Sequence, residues 1–69
     1  MYWWRMVFVC GNEECHVDGV IKHFTAEDAE ADAWDVENSI GLINYARSKG
    51  VDLTRWEFSA VCVMRSANQ

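Results

Sequence analysis

From Thr25 to Gly50 the chain reads TAEDAEADAWDVENSIGLINYARSKG. It has a helix start signal at one end and a stop signal at the other. Thr25 is a good N-cap, because its hydroxyl can accept from the amide of Asp28 while Asp28 answers in capping-box fashion. Glu27, Asp28 and Glu30 lie where the helix dipole favours negative charge, and Arg47 and Lys49 lie at the opposite pole. Gly50 supplies a C′ stop, with Val51 as its hydrophobic partner. These signals predict one helix over 26–49, about 24 residues. Ala29, Ala33, Val36, Ile40 and Ile43 recur at spacings of three and four, so they form the expected buried stripe, with Ala46 at its margin.

A helix of that length leaves two flanks, and both read as strands. Tyr2 to Cys10 is almost wholly apolar and rich in aromatic and β-branched residues, as a central strand would be. After a turn at Gly11-Asn12-Glu13-Glu14, residues 15–24 form the expected second strand. Facing Cys10 with Cys15 pairs Phe8–Val17, Met6–Gly19, Trp4–Ile21 and Tyr2–His23 on one apolar face. The other face is mixed, with Arg5 diagonal to Asp18 and Lys22 near Trp3. A one-residue slip would scramble this separation. Residues 55–65 form the third strand, with Trp56, Phe58, Ala60, Cys62 and Met64 expected on the apolar face.

The order β-β-α-β with a right-handed crossover puts the first strand in the middle, in order 2-1-3. The expected fold is α+β: a two-layer sandwich in one domain, 1–69, with a three-stranded antiparallel sheet and one long helix on one face. Four Trp, three Phe and two Tyr in 69 residues let a small core be built from few positions.

Charge is unevenly placed. Glu27, Asp28, Glu30, Asp32, Asp35 and Glu37 fall within one stretch, and no Lys or Arg occurs between Lys22 and Arg47. The formal net charge of −5 therefore arises there. It argues against direct nucleic-acid binding, which needs cations against phosphate. A solvated face with favourable dipole placement accounts for the acids of the first turn. Asp32, Asp35 and Glu37 lie beyond it, where like charges repel without cationic partners. Trp34, Tyr45, Gly41 and Asn38 cluster on the helical wheel opposite the buried stripe, where a two-layer sandwich should be polar. Trp and Tyr are typical interface anchors, and glycine inside a helix costs about 1 kcal/mol relative to Ala. The alternative is that a strand end or the connector folds over Trp34, or that the helix kinks near Asn38-Ser39. The candidate partner-binding set is Trp34, Tyr45, Glu30, Asp35, Glu37, Glu27, Asn38 and Gly41. Its expected partner is a larger protein with a basic surface.

A second surface is the uncovered sheet face, expected to hold Trp3, Val7, Val9, Val20, Phe24, Val61 and Val63. An apolar patch of this kind marks association, here a homodimer, unless the stems of Arg5, Lys22, Glu57 and Arg65 cover it. Cys10, Cys15, His16, His23 and Cys62 are the metal or nucleophile candidates. They match no zinc spacing, and no phosphate-cradling glycine loop or catalytic carboxylate pair is present. The expectation is no enzyme, no metal and no cofactor, with buried reduced thiols. The first ten residues are apolar but too short to span a bilayer, and no small-residue cleavage site follows. A cytoplasmic protein without a membrane partner is expected.

In its brevity, its TAEDAEADAWD acidic helix, its surplus aromatics and its element order, the chain resembles the small acidic inhibitors of phages and mobile elements, the anti-CRISPR proteins among them. The resemblance implies a non-enzymatic protein that binds a host complex, often at a surface meant for nucleic acid, in the bacterial cytoplasm.

Overall fold

A computed structural model of the chain describes residues 1–67. Its elements are β1 (Tyr2–Cys10), β2 (Glu13–Asp18), α1 (Ala26–Ser39), α2 (Leu42–Ser48) and β3 (Glu57–Arg65). The sheet is antiparallel throughout, in order β2-β1-β3, and α1 packs mainly across β1. The fold is the expected α+β arrangement. The hairpin, the second strand and the helix each differ in detail from the sequence reading, and each difference bears on the exposed surface.

The hairpin closes more tightly than expected. Gly11-Asn12 alone makes the loop, Cys10 faces Glu13, and Gly11 takes φ 60°. A two-residue loop with glycine first is a favoured hairpin closure. The ladder is thereby shifted by two residues, giving Phe8↔Cys15 and Met6↔Val17. A shift of two preserves the alternation of faces, so the hydrophobic pattern cannot distinguish the two registers. Arg5 stands directly opposite Asp18 instead of diagonal to it.

The expected second strand ends early. Gly19 still donates to the Trp4 carbonyl at 2.9 Å, and His23 pairs with Tyr2 as expected. Residues 20–22 between them leave the ladder and absorb the two-residue difference. Val20 and Ile21 are consequently 76% and 57% exposed, and Phe24 is 83% exposed.

The expected single helix is two. Thr25 caps α1 by accepting from the Asp28 amide at 3.1 Å. Gly50, at φ 94°, closes α2: its N–H reaches the Arg47 carbonyl, and the Val51 N–H reaches that of Ala46. The Thr25 hydroxyl bond and the Gly50 stop are as expected. Between them the chain breaks at Gly41, whose φ of 87° is open to glycine and strained for other residues. The Ser39 hydroxyl donates to the Val36 carbonyl just before the break, a local bond that competes with helix. Glu37 restarts the helix by accepting from the Leu42 amide at 3.2 Å. The break shifts the helical phase. Ala29, Ala33 and Ala46 are buried and Val36 is half-buried, but Ile40 and Ile43 point outward, and Leu42 and Tyr45 pack on the core instead.

The core is Trp4, Met6, Phe8, Val17, Ala33 and Ala46, with Ala29 also buried. Tyr45 meets Trp4 edge-on with ring centroids 5.4 Å apart, and Phe58 meets Phe8 at 5.7 Å. The small alanines of the helices leave space for these rings. The end of the chain is tied in part, since Ser66 donates to the Met1 carbonyl at 2.9 Å. Positions 68–69 lie outside the described residues.

Candidate protein-binding groove

A bulge in β3 sets the exposed surface. Phe8 faces Phe58, but Val7 faces Ala60, so Ser59 is an extra residue. One extra residue reverses the alternation beyond it. Val61 and Val63 face Met6 and Trp4 and so lie on the helix side with Phe58. Ala60, Cys62 and Met64 lie on the open side. The sequence reading had these two sets reversed, and it had placed Cys62 in the core, whereas its thiol is exposed.

On the helix side α1 does not reach far enough to cover β3. An open groove of about 280 Å³ remains, lined by Ala33, Trp34, Leu42 and Val61 along its walls and by Glu30 and Glu37 at its rim. Trp34 is 60% exposed there. No cation stands beside Glu27, Glu30 or Asp35 among the described residues. The six Lys and Arg are occupied elsewhere: Arg5 with Asp18, Arg55 with Glu13, Arg47 with Asn44, and Lys22, Lys49 and Arg65 over the rings of Trp3, Tyr45 and Tyr2. The negative field of α1 therefore reaches solvent uncompensated.

The eight residues proposed from sequence for partner binding divide. Trp34, Glu30 and Glu37 come together in the groove. Glu27 and Asn38 are exposed on α1. Asp35 lies on the opposite flank, in a second cleft of about 260 Å³ formed with Ile21, His23, Asp28, Ala31 and Asp32. Tyr45 turns away from the surface cluster, because the break at Gly41 rotates it onto Trp4. Gly41 itself is explained by its backbone angle. Ala33, Leu42 and Val61 line the groove and were not anticipated there. The length of α1 relative to the sheet and the bulge at Ser59 put them there, and neither is visible in the alternation of residues.

Within the second cleft His23 and Asp32 are 2.9 Å apart and largely buried, and the pair ties the irregular segment after β2 to the middle of α1. On the open sheet face Arg5 and Asp18 form a two-bond pair at 2.7 and 3.0 Å. The Arg5 guanidinium, chiefly by donating to it, holds the Asp18 carboxyl below the usual carboxylate range. This face keeps only Trp3, Val7 and Val9 of the seven residues assigned to it, between charged neighbours. Val20 and Phe24 have left the sheet, and Val61 and Val63 are on its other side.

The three cysteines are free, and Cys15 faces Phe8 instead of Cys10. No three His, Cys, Asp or Glu side chains converge as metal ligands among the described residues. No helix among them is long and apolar enough to cross a membrane. Comparison of the chain with protein-family models, with curated proteins and with solved structures finds no match.

Proposed function

We propose that the chain is a non-enzymatic binding protein, an inhibitor of the anti-CRISPR kind, that covers a basic and possibly nucleic-acid-binding surface of a larger protein in the bacterial cytoplasm. The observation that carries this reading is Trp34. A large aromatic side chain stands exposed over an open apolar groove, between Glu30 and Glu37, on a helix whose charge no neighbouring cation offsets. Its fold does not require the exposure, and an aromatic anchor ringed by charge is the usual composition of an interface hot spot. Trp34, with Ala33, Leu42 and Val61, supplies apolar contact. Glu30, Glu27 and Asp35 steer a basic surface toward it and set the salt dependence of association. Glu37 serves both roles, since it also caps α2.

The test is affinity capture from bacterial lysate with the wild-type protein, with Trp34→Ala and with Glu30→Lys/Asp35→Lys, followed by binding measurements on the captured partner. The proposal expects a partner with a basic surface, captured less well as salt rises. Trp34→Ala should accelerate its dissociation, and the double lysine variant should slow its association and flatten the salt dependence. Binding that is indifferent to all three changes refutes the reading.

A further inference from the structure

The hairpin of β1 and β2 holds two registers at once. Beside the loop, Cys10 faces Glu13, Phe8 faces Cys15 and Met6 faces Val17, and the Gly19 N–H reaches the Trp4 carbonyl in the same register. Carried on, this register would set Tyr2 opposite Ile21. Tyr2 instead bonds His23 in both directions, at 2.7 and 2.6 Å, two residues out of step. The Lys22 ammonium lies 4.4 Å from the centre of the Trp3 ring, as that far-end register requires. Residues 20–22 are the slack between the two. Carried back toward the loop, the far-end register gives Trp4–Ile21, Met6–Gly19, Phe8–Val17 and Cys10–Cys15, with a four-residue loop from Gly11 to Glu14. A shift of two leaves every side chain on its own face. β2 is an edge strand, so the shift disturbs no ladder other than that with β1.

We infer that the hairpin is a thiol–disulfide switch, in which joining Cys10 to Cys15 moves the two slack residues from 20–22 into the loop. Both thiols are free and half-buried, within reach of a small oxidant. In the present register they are diagonal neighbours on one face, a placement with Cα atoms about 7–8 Å apart. That exceeds the usual disulfide span of about 4.4–6.8 Å. In the far-end register they stand directly opposite, in a hydrogen-bonded pair like Tyr2 and His23, and such pairs lie about 5.5 Å apart. The oxidant is a small disulfide. One cysteine thiolate attacks it, forming a mixed disulfide and releasing one small thiol. The other cysteine, as thiolate, attacks the protein sulfur of that mixed disulfide and releases the second. The protein gives up two electrons and two thiol protons, and the oxidant leaves as two thiols. Three contacts hold the reduced register: Arg5 with Asp18, Arg55 with Glu13, and Gly19 beneath Trp4. Oxidation dissolves them and draws Ile21 out of the second cleft to a place opposite Trp4, whose ring turns to admit it. The Trp34 groove is left alone, since no hairpin residue lines it.

Titration of the full chain with a glutathione redox buffer tests this, with peptide mapping to locate the disulfide and NMR to read the ladder. The expected product is one Cys10–Cys15 disulfide with Cys62 outside it, and Cys62→Ser should oxidise as the wild type does. Cross-strand contacts should move from Phe8–Cys15 to Phe8–Val17. Amide exchange at Ile21 should slow on the order of tenfold or more as this residue enters the ladder. Asp18→Asn lacks a pair that holds the reduced register. Its dithiol–disulfide equilibrium should move about two- to fivefold toward the disulfide, the worth of a partly exposed ion pair. A disulfide that forms while Phe8 still faces Cys15 overturns the inference. So does a chain in which Cys10 and Cys15 yield only mixed disulfides with glutathione, or an Asp18→Asn equilibrium no different from that of the wild type.

Discussion

Gly19 lies against the edge of the Trp4 indole, so close that a Cβ at this position would fall 2.6 Å from Cε2. The same residue donates its N–H to the Trp4 carbonyl, so neither backbone nor ring is free to withdraw. The fully buried Trp4 depends on a residue without a side chain one strand away. Gly19→Ala should therefore destabilise the protein by about 1–3 kcal/mol, the usual cost of overpacking, and Gly19→Val should cost more. Urea unfolding monitored by tryptophan fluorescence measures the difference.

Trp34 and Tyr45 occupy the same helical segment as read from sequence, yet their substitution should have opposite consequences. Trp34 is exposed in the groove, whereas Tyr45 packs on Trp4. Trp34→Ala should change stability by no more than about 0.5 kcal/mol. Tyr45→Ala should lose roughly 1–3 kcal/mol, the value of a largely buried apolar side chain. Chemical denaturation of the two variants distinguishes them directly.

At Gly41 the backbone sits at φ 87° and ψ 140°. A Cβ there would meet only ordinary contacts, 3.5 Å from the Glu37 carboxylate and 3.8 Å from Asn44, so space does not limit substitution. Conformation does. Gly41→Ala should destabilise by about 1–3 kcal/mol through backbone strain. A rise in stability would mean that α1 and α2 can merge into one helix, and far-UV circular dichroism would report the added helix.

The Arg5–Asp18 pair makes stability depend on acidity. Because the folded-state pKa of Asp18 is lowered, the pair's contribution is fully present above the unfolded aspartate value, about 3.9. It is lost as pH falls through the depressed folded value. Thermal midpoints of the wild type should drop across that acidic window. Asp18→Asn should start lower at neutral pH and show a shallower drop, and the two curves should converge at the acidic end.

Much of this architecture was legible in the residues. The apolar run Tyr2–Cys10 identifies a central strand. Thr25 and Gly50 mark where helical structure begins and ends, and the element order β-β-α-β with a right-handed crossover leads to the order β2-β1-β3. In each case a local chemical signal, such as a cap hydroxyl, a glycine or a two-residue period, acts on its own neighbours. The sequence by itself also determined that negative charge is concentrated on one helix, because charge placement along a helix needs no tertiary partner.

Tertiary structure decided what the local signals leave degenerate. A two-residue change in hairpin register keeps every side chain on its face, so the choice fell to the Gly11-Asn12 loop and to Gly19 beneath Trp4. One inserted residue, Ser59, exchanged the faces of Val61 and Cys62, because strand alternation has no memory across a bulge. One glycine, Gly41, turned Tyr45 into the core and Ile43 out of it, because a helical wheel holds only while the helix is continuous. The groove beside Trp34 exists because α1 packs mainly across β1 and leaves much of β3 uncovered. That is a relation between elements distant in sequence, and neither segment encodes it alone.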